Sequence, residues 1–339
     1  MRAIVLHGPK DIRLEERPKP RPDAGEVLLR VAAVGVCGSD LPRMLVKGAH
    51  KMPLVTGHEF SAHIEALGEG VTGWSAGELV AVAPLLPCNR CDQCLTGNFS
   101  RCRDYDYFGS RRDGAYAEYV AAPVQNLIKV PQHVDPRAIA MTDPASIALH
   151  AIWKAGGTTV GRIAAVVGCG PIGLFAIQWL RMLGASRVIA VDVSPNKLDL
   201  AREAGASDCV LSGGIRALEG VADIVIEAVG LGQSINSAIA LAAPGGHVSF
   251  IGIPVPDITL GNATFQRFLR QEISLHGSWN SFGAPFPGPQ WTTTIEKFGT
   301  GELRWEFLIS HDLDLAELPE IFRQFDARSI HFSKVIFRP

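Results

Sequence analysis

One stretch constrains the fold of this chain more than any other: RIAAVVGCGPIGLFAIQWLRMLGASRVIAVD, which ends at Asp192. A β-branched run leads into the glycine pattern GCGPIG, and a helical pattern and a second β-branched run follow. This order predicts a strand, a tight turn, a helix and a second, parallel strand. The uncharged run from residue 163 to 180 approaches the length of a membrane span, but its central glycines divide it into a strand and a helix.

The glycine pattern predicts a dinucleotide site. Gly168 permits the sharp turn, Gly170 lets a pyrophosphate approach the backbone, and Gly173 allows the helix to pack closely on the strand. The pyrophosphate would meet the N-terminus of the helix, next to Pro171 and Ile172. A glycine-bearing loop in an unrelated α/β protein is the alternative interpretation.

Asp192 stands at the end of the second strand, where its carboxylate can accept hydrogen bonds from ribose hydroxyls. The same carboxylate would repel a 2′-phosphate, so the sequence predicts NAD rather than NADP. Further patterns follow: helix PNKLDLAREAGA, strand ADIVIEAVG, helix SINSAIALAAPGG and the strands HVSFIGIP and EISLHGSW. They predict an α/β domain with a doubly wound, six-stranded parallel sheet over about residues 160 to 278.

Four cysteines lie close together in the segment CNRCDQCLTGNFSRC, with two, two and seven residues between successive members: Cys88, Cys91, Cys94 and Cys102. Zn²⁺ prefers thiolate ligands, and short CxxC steps close readily into a tetrahedral site. A disulfide pair or a redox CxxC is the alternative. Because four protein ligands fill the coordination shell, this zinc is predicted to be structural and to leave no open position for chemistry.

A second group combines different ligand types. Cys37 lies in VGVCGSD, and His58 and Glu59 lie in TGHEF. A thiolate, an imidazole and a carboxylate are typical of a catalytic zinc, which keeps one position open for water or substrate. Taken singly, a buried cysteine is usually a packing residue and a lone histidine usually a hydrogen-bonding one. Upstream of a dinucleotide fold, the three together predict a catalytic metal site.

Length and composition narrow the remaining possibilities. A chain of 339 residues with 47% hydrophobic and 19% charged residues predicts a globular protein of two domains. Its net charge of −2 offers no overall field for nucleic acid or an anionic membrane, so neither partner is expected. The start MRAIVLHGPKDIRLEE lacks the apolar run of a signal peptide, which predicts a cytoplasmic location. Cys169 and Cys209 are interpreted as packing residues.

The chain resembles the zinc-dependent medium-chain dehydrogenase/reductase family over essentially its whole length, in the order GVCGSD, GHE, four-cysteine lobe, GxGxxG and terminal acid. The segments CGSDLPR, PLLPC, GSRRDG and ATFQRFLRQEISLHGSW resemble its polyol dehydrogenases. The resemblance implies a GroES-like, partly open β-barrel catalytic domain at 1–147 and 279–339, with the structural-zinc lobe at about 86–103, and a Rossmann domain at 148–278. It also implies two zinc ions per subunit and a homo-oligomer, a tetramer or else a dimer.

The resemblance assigns roles around the catalytic zinc. Cys37, His58 and Glu59 would surround the metal, and Asp143 would take the position often held by a ligand-bearing glutamate. Aspartate is one methylene shorter, so it would reach the zinc either directly or through a water. Asp40 would orient the imidazole of His58, or alternatively cap the local turn.

Pro42 departs from the family, because alcohol and sorbitol dehydrogenases often have a proton-relay histidine at that position. Proton release is therefore expected to use another group beside the metal. Ser39 is the first candidate, and it would also contact the substrate. His50 is the second, with a solvated loop histidine as its alternative interpretation.

The resemblance also places residues around the cofactor. Lys197 would lie near the adenosine ribose together with Asp192. The nicotinamide channel would be lined by strand-end residues, for which simple core packing is the alternative. These residues would be Ala228, Ile251, Ile253 and Ser278, with Trp279 on the substrate side.

Arg111 and Arg112 in GSRRDG are the charged candidates for substrate recognition, and Arg111 is the predicted contact. A guanidinium binds a phosphate bidentately, which fits a sugar-alcohol phosphate such as galactitol 1-phosphate. A solvated turn or a subunit salt bridge is the alternative, so a free polyol stays a candidate.

The resemblance thus implies reversible, NAD-linked oxidation of a secondary hydroxyl of a sugar alcohol to the ketose. Zinc would make the hydroxyl acidic, and the nicotinamide would approach the substrate carbon in a cleft between the two domains. Three alternatives stay open. They are a threonine or simple-alcohol dehydrogenase, a zinc-independent quinone reductase, and a non-catalytic NAD-binding protein with the same fold.

Overall fold

The computed structural model of the chain describes residues 1–254 and 257–339. By the contacts within it, the chain divides into two units. The first unit comprises Met1–Asp143 and Phe282–Pro339, and the second comprises Pro144–Ser281. The domain boundaries expected from the sequence, after residues 147 and 278, lie within a few residues of this division.

The N-terminal part of the first unit is mostly β-structure, because short apolar runs alternate with turns. Its strands are β1 (Arg2–Gly8), β2 (Asp11–Glu16), β3 (Glu26–Gly35), β4 (Leu54–Val55), β5 (Glu59–Leu67), β6 (Leu79–Val82), β7 (Leu85–Leu86), β8 (Asp106–Tyr107), β9 (Tyr119–Pro123) and β10 (Leu127–Lys129). Its helices are short: α1 (Asp40–Pro42), α2 (Asp92–Leu95) and α3 (Pro136–Ala140). A longer helix, α4 (Thr142–Lys154), leads into the second unit.

The second unit alternates strands with helices. The strands are β11 (Ile163–Val167), β12 (Arg187–Asp192), β13 (Asp208–Leu211), β14 (Ala222–Glu227), β15 (Ala242–Phe250) and β16 (Ser274–Gly277), and the helices are α5 (Pro171–Met182), α6 (Pro195–Glu203), α7 (Gly232–Leu241) and α8 (Asn262–Arg270). All six strands are parallel, in the order β13-β12-β11-β14-β15-β16. β11 is apolar almost throughout, as expected of a strand in a sheet that helices cover on both faces. The predicted doubly wound, six-stranded sheet is confirmed.

The C-terminal segment returns to the first unit and completes its main sheet. It contains α9 (Pro289–Gly299), β17 (Ile309–Asp314), α10 (Leu318–Ala327) and β18 (Lys334–Arg338). β18 pairs with β3, and the main sheet runs β10-β6-β5-β3-β18-β17, with β9 also paired to β3. An apolar core underlies it, including Phe60, Phe108, Phe322 and Phe337. The predicted β-rich fold of this part of the chain is confirmed.

One predicted helix is shorter than expected. The pattern SINSAIALAAPGG predicts a helix that ends at its glycines, but α7 ends at Leu241 and β15 begins at Ala242. Pro244 explains the difference, because proline has no N–H to donate and forces the residue before it toward extended conformations.

The uncharged run from residue 163 to 180 divides into β11 and α5, as predicted. Across residues 1–254 and 257–339, no helix combines the length and apolar character that a membrane crossing requires.

Candidate active site

Cys37, His58 and Glu59 converge because two neighbouring strands bring them to one place. β3 ends at Gly35 and β5 begins at Glu59, and these two residues are opposite each other in the antiparallel pair. Cys37 closely follows β3 and His58 directly precedes β5, so the three side chains meet. Their ligand atoms, one from each residue, all lie within 4.8 Å of one another. The structure thus brings together three of the four residues predicted to hold the catalytic metal.

The chemistry of this group fits a metal cation. Cys37 Sγ accepts hydrogen bonds from the backbone N–H of Ser39 at 3.5 Å and from its hydroxyl at 3.3 Å. Burial, followed by the charges of Glu59 and Asp40, raises the pKa of the Cys37 thiol well above its usual range. Burial lowers the pKa of His58, whose Nδ1 is buried without a hydrogen-bond partner among the described residues. Zn²⁺ would stabilise the thiolate and accept the imidazole, and this mixed donor set suits it.

Asp40 is fully buried and organises the loop after β3. Its Oδ2 accepts hydrogen bonds from Cys37 N at 3.1 Å and from the Tyr116 hydroxyl at 2.9 Å, and its Oδ1 pairs with the Arg43 guanidinium. His58 Nδ1 is 3.6 Å from Oδ1, which is too far for a hydrogen bond. Asp40 therefore caps the turn that carries Cys37, and it lies beside the imidazole that it is predicted to orient.

Glu59 has a buried counter-ion that the sequence analysis missed. Lys334, the first residue of β18, is 1% exposed, and its ammonium pairs with Glu59 Oε2 and donates to Val36 O at 2.9 Å. Gly35 makes room for this pair, because a Cβ there would lie 2.7 Å from Lys334 Cε. The ammonium of Lys334 balances the charge of the Glu59 carboxylate within the metal group, which consists of Cys37, His58 and Glu59.

Asp143 lies in the first turn of α4 and is buried. It is not a member of the described group whose ligand atoms lie within 4.8 Å of one another. Burial, followed by the charge of Glu59, raises the pKa of Asp143 well above its usual range. Asp143 is therefore an electrostatic neighbour of the metal group, and its direct ligation stays a prediction.

β8 brings an aromatic side chain to the metal group that the sequence analysis also missed. The ring of Tyr107 meets the ring of His58 edge-on, with centroids 5.7 Å apart and an interplanar angle of 64°. Burial, followed by the charges of Asp143 and Cys37, raises the pKa of the Tyr107 phenol well above its usual range. The only sequence signal for Tyr107 is its position just before the GSRRDG segment.

The two adjacent arginines of GSRRDG have different partners in the structure. Arg112 lies between two carboxylates, with Glu26 at 3.6 Å and Asp106 at 3.9 Å. Arg111 instead stacks over the Tyr105 ring, 4.6 Å from its centroid, and has no carboxylate partner among the described residues. Arg111 is therefore the arginine that is available to an anionic ligand.

The four cysteines of the predicted lobe also converge. The sulfur atoms of Cys88, Cys91, Cys94 and Cys102 all lie within 4.8 Å of one another. Cys88 Sγ and Cys94 Sγ are 3.9 Å apart, and all four thiols are free, so the disulfide alternative is not adopted. The backbone N–H of Arg103 lowers the pKa of Cys91 to about 6, which favours a thiolate. The cluster fits a structural zinc.

In the second unit, the glycine turn has the geometry of a phosphate-binding loop. Gly168 has φ +97°, and a Cβ on Gly173 would lie only 1.9 Å from Gly168 O. A Cβ on Gly170 would meet nothing within 4 Å, so this position is open to a ligand. Gly170 is also the N-cap of α5, which begins at Pro171 and continues with Ile172. Exposed N–H groups at such a helix start attract phosphate.

Asp192 ends β12 and holds the glycine turn in place. Its Oδ2 accepts a hydrogen bond from Cys169 N at 2.8 Å, and its Oδ1 accepts one from Ser194 N at 2.9 Å. An ionised carboxylate has about four acceptor positions. The two backbone bonds therefore occupy about half of these positions, and the contact with ribose hydroxyls stays a prediction.

The other residues predicted to contact the cofactor, and the predicted substrate contact Trp279, lie in the second unit. Lys197 is half-buried in α6, and Ser278 is buried after β16, where its N–H donates to Phe250 O at 3.0 Å. Ala228 and Ile251 follow β14 and β15, whereas Ile253 and Trp279 are about half exposed. No described contact joins these side chains to one another.

His50 stays apart from the metal group. Its side chain is exposed, and its backbone N–H donates to Ser110 O at 3.4 Å. No described contact links the imidazole to Cys37, His58 or Glu59. Its role in proton transfer therefore stays a prediction without structural support.

Comparison with known proteins defines the class. Residues 23–132 match the alcohol dehydrogenase GroES-like domain, and residues 171–296 match the zinc-binding dehydrogenase domain. The chain belongs to the zinc-dependent medium-chain dehydrogenase/reductase family, and it is an oxidoreductase of the zinc-containing alcohol and polyol dehydrogenase type. The resemblance stated from the sequence is confirmed.

The chain is 35% identical to galactitol 1-phosphate 5-dehydrogenase of Escherichia coli strain K12, over 100% of both chains. The crystal structure of galactitol-1-phosphate dehydrogenase from Escherichia coli matches with a TM-score of 0.93 and 34% identity, again over 100% of both chains. L-Threonine 3-dehydrogenase of Bacillus subtilis strain 168 is also 35% identical, over 73% of this chain and 74% of its own.

Two further solved structures contain a cofactor. A zinc-binding dehydrogenase from Sinorhizobium meliloti 1021, bound to NADP, has a TM-score of 0.89 and 27% identity over 100% of this chain and 99% of its own. A short chain alcohol dehydrogenase from E. coli CFT073, complexed with NADH, has a TM-score of 0.88 and 28% identity with the same coverage. The NADP-bound and the NADH-bound structures are about equally similar to this chain, so similarity does not decide which cofactor the chain binds. That choice has to be argued from the residues of this chain.

Proposed function

We propose that the chain is a zinc-dependent, NAD-linked dehydrogenase that reversibly oxidises a secondary hydroxyl of a sugar alcohol to the ketose. The observation that carries this proposal is the convergence of Cys37, His58 and Glu59 within 4.8 Å. A sulfur, an imidazole nitrogen with no hydrogen-bond partner among the described residues and a carboxylate oxygen are the ligand types of a catalytic zinc, so metal binding accounts for their convergence better than packing does.

Cys37, His58 and Glu59 would hold the catalytic metal, with Asp143 as the further carboxylate beside them. When bound, zinc supplies a Lewis acid that lowers the pKa of an alcohol hydroxyl, and NAD supplies the hydride acceptor. The four-cysteine cluster would hold a second zinc ion, which fixes the lobe and takes no part in the chemistry.

Oxidation of an alcohol releases a proton as well as a hydride, and the proton must reach solvent. Ser39 is the candidate for this transfer, because its hydroxyl lies 3.3 Å from Cys37 Sγ and its side chain is partly exposed. Pro42 has no group that could carry a proton. A serine hydroxyl both donates and accepts, so Ser39 can pass a proton onward without changing its own charge.

Asp192 and the glycine turn favour NAD over NADP. The carboxylate stands beside the start of α5, where it would bind ribose hydroxyls and repel a 2′-phosphate. The open position at Gly170 leaves room for the pyrophosphate.

Arg111 favours a phosphorylated sugar alcohol over a free one. Arg111 is partly buried, its guanidinium stacks over the Tyr105 ring, and it lacks a carboxylate partner among the described residues, whereas Arg112 has two. A guanidinium without a carboxylate partner can bind the phosphate of a ligand through two hydrogen bonds. Similarity to galactitol 1-phosphate 5-dehydrogenase over the full length supports the same substrate class.

L-Threonine is the second candidate, because a guanidinium binds a carboxylate as readily as a phosphate. The 35% identity to L-threonine 3-dehydrogenase supports it, although over a smaller share of the chain.

NADH production across a substrate panel tests the proposal. Galactitol, sorbitol, their 1-phosphates, L-threonine and 2-butanol are compared at equal concentration, with and without a zinc chelator. We expect a hexitol phosphate to be oxidised fastest, and the chelator and the Cys37→Ser variant to remove activity while the protein stays folded. Turnover that survives both treatments, or activity confined to L-threonine, would contradict the proposal.

A further inference from the structure

Among the described residues, Tyr107 is a tyrosine that contacts the metal group and whose hydroxyl has no hydrogen-bond partner. Its ring packs edge-on against His58, 5.7 Å between centroids, and the charges of Asp143, Cys37 and Glu59 act on its phenol. The hydroxyl makes no hydrogen bond with any described residue. Tyr116 provides the contrast, because its hydroxyl is already held by Asp40 Oδ2 at 2.9 Å.

The backbone holds Tyr107 firmly in this place. Tyr107 pairs with Leu85 in the β7–β8 sheet, and its carbonyl accepts hydrogen bonds from the N–H groups of the following turn, Ser110 at 3.4 Å, Arg111 at 3.0 Å and Arg112 at 3.2 Å. One turn therefore fixes both the phenol beside His58 and the Arg111 guanidinium over Tyr105. A turn that holds both a phenol and a guanidinium suits a substrate that carries two polar groups in addition to the hydroxyl that is oxidised.

We propose that the Tyr107 hydroxyl binds a second hydroxyl of the substrate, on a carbon next to the one that is oxidised, and so selects vicinal diols over simple alcohols. This inference rests on the proposed function and deepens it. His58 is one of the three residues proposed to hold the metal, and Tyr107 packs edge-on against its ring, so a group bound by the phenol would lie close to a group bound at the metal. A phenol donates one hydrogen bond and accepts others, which matches a neighbouring hydroxyl.

The selectivity follows from desolvation. When the substrate binds, the partly buried phenol of Tyr107 loses its hydrogen bond to water. A substrate hydroxyl can replace that hydrogen bond, but a methylene cannot, so a substrate without the hydroxyl leaves the phenol unpaired. Arg111 recognises only the phosphate. Tyr107 therefore determines whether the reacting carbon has a hydroxylated neighbour, independently of phosphorylation.

The test compares 2,3-butanediol with 2-butanol, which differ by one hydroxyl, in wild type, Tyr107→Phe and Tyr119→Phe. Tyr119→Phe is the matched control, since Tyr119 lies on β9, away from the metal group, under the Lys19 ammonium. We expect Tyr107→Phe to lower kcat/KM for the diol about 3- to 10-fold more than it lowers kcat/KM for 2-butanol, mainly through KM. Tyr119→Phe should alter neither substrate.

The outcomes separate the inference from the function it rests on. An equal effect of Tyr107→Phe on both substrates, or none on either, would overturn the vicinal-diol contact while the dehydrogenase function stands. A wild-type protein without NADH production on any alcohol would overturn the proposed function and this inference with it. Zinc content and near-UV circular dichroism, measured on each variant, confirm that the Tyr→Phe changes leave the folded protein intact.

Discussion

Lys334 and Glu59 form a buried ion pair between the last strand of the chain and the metal group, although 275 positions separate them. Lys334 is 1% exposed and Glu59 is 2% exposed. The pair is completed by Val36 O, which accepts a hydrogen bond from the same ammonium at 2.9 Å. β18 thus lies between β3 and β17 in the main sheet and also carries the charge that balances Glu59.

Lys334→Met should destabilise the protein strongly. In protein stripped of metal by a chelator, removing Lys334 leaves the buried Glu59 carboxylate without a compensating charge, which costs about 3–5 kcal/mol of unfolding free energy. Urea denaturation followed by tryptophan fluorescence measures the loss. The double variant Lys334→Met/Glu59→Gln is the control, and it should recover much of the stability because no lone charge remains. A loss below about 1 kcal/mol in the single variant would show that the pair is not needed.

Asp192→Ala should weaken the binding of NAD and reduce the discrimination against NADP. The carboxylate both anchors the glycine turn through Cys169 N and is placed for the ribose, so its loss should raise the Kd of NAD about 10- to 100-fold and leave NADP much less affected. Fluorescence titration with both cofactors measures the ratio. Asp199→Ala, which removes an exposed aspartate paired with Arg202 on α6, should leave the ratio at its wild-type value. An unchanged ratio in Asp192→Ala would refute the assignment.

Arg111→Ala should raise KM for a hexitol 1-phosphate about 10- to 100-fold while changing KM for the free hexitol little, since a charge-assisted contact is lost only with the phosphate. Steady-state kinetics with matched pairs of substrates checks this. Arg112→Ala is the natural control, because Arg112 is already paired with Glu26 and Asp106. Equal effects of the two substitutions on both substrates would assign Arg111 to the scaffold.

His150 should make the protein less stable in acid. Burial, followed by the charge of Lys154, lowers its pKa in the folded protein to about 4, below the value of about 6.5 in an unfolded chain. As the pH falls from 6.5 through 4, the unfolded chain therefore takes up the proton first. The stability contributed by neutral His150 is complete above pH 6.5 and is lost below it, by about 3 kcal/mol at most.

The measurement is the free energy of unfolding in urea at several values of pH between 7.5 and 4.5. His150→Gln should show a shallower decline than wild type, and His133→Gln, at an exposed position, should follow the wild-type curve. Comparing variants removes the contribution of metal loss in acid, which all of them share. Parallel curves for His150→Gln and wild type would count against a buried neutral imidazole.

Much of the fold and the site could be predicted because their signals are local. The cysteines of the zinc lobe, the glycine turn and Asp192 lie within short segments whose spacing carries the chemistry, and the strands around them have clear β-branched runs. Cys37 and His58 lie in separate motifs, and the family resemblance is what assigned them to one metal site.

Long-range pairing explains what could not be predicted. Lys334 reaches Glu59 only because β18 pairs with β3, and an isolated lysine in SKVIF has no feature that predicts burial. Tyr107 likewise reaches His58 through the β7–β8 pair. The two adjacent arginines look equivalent in sequence, and only the positions of Glu26 and Asp106 distinguish Arg112 from Arg111.

Anomalous X-ray scattering, measured on both sides of the zinc absorption edge from crystals of protein that oxidises its substrate, tests the proposed metal sites most directly. We expect two zinc peaks per chain. One lies about 2.0–2.3 Å from Cys37 Sγ and a His58 nitrogen, and the other lies among the four sulfurs of Cys88, Cys91, Cys94 and Cys102. A map from fully active protein that shows zinc only at the four sulfurs would contradict this expectation.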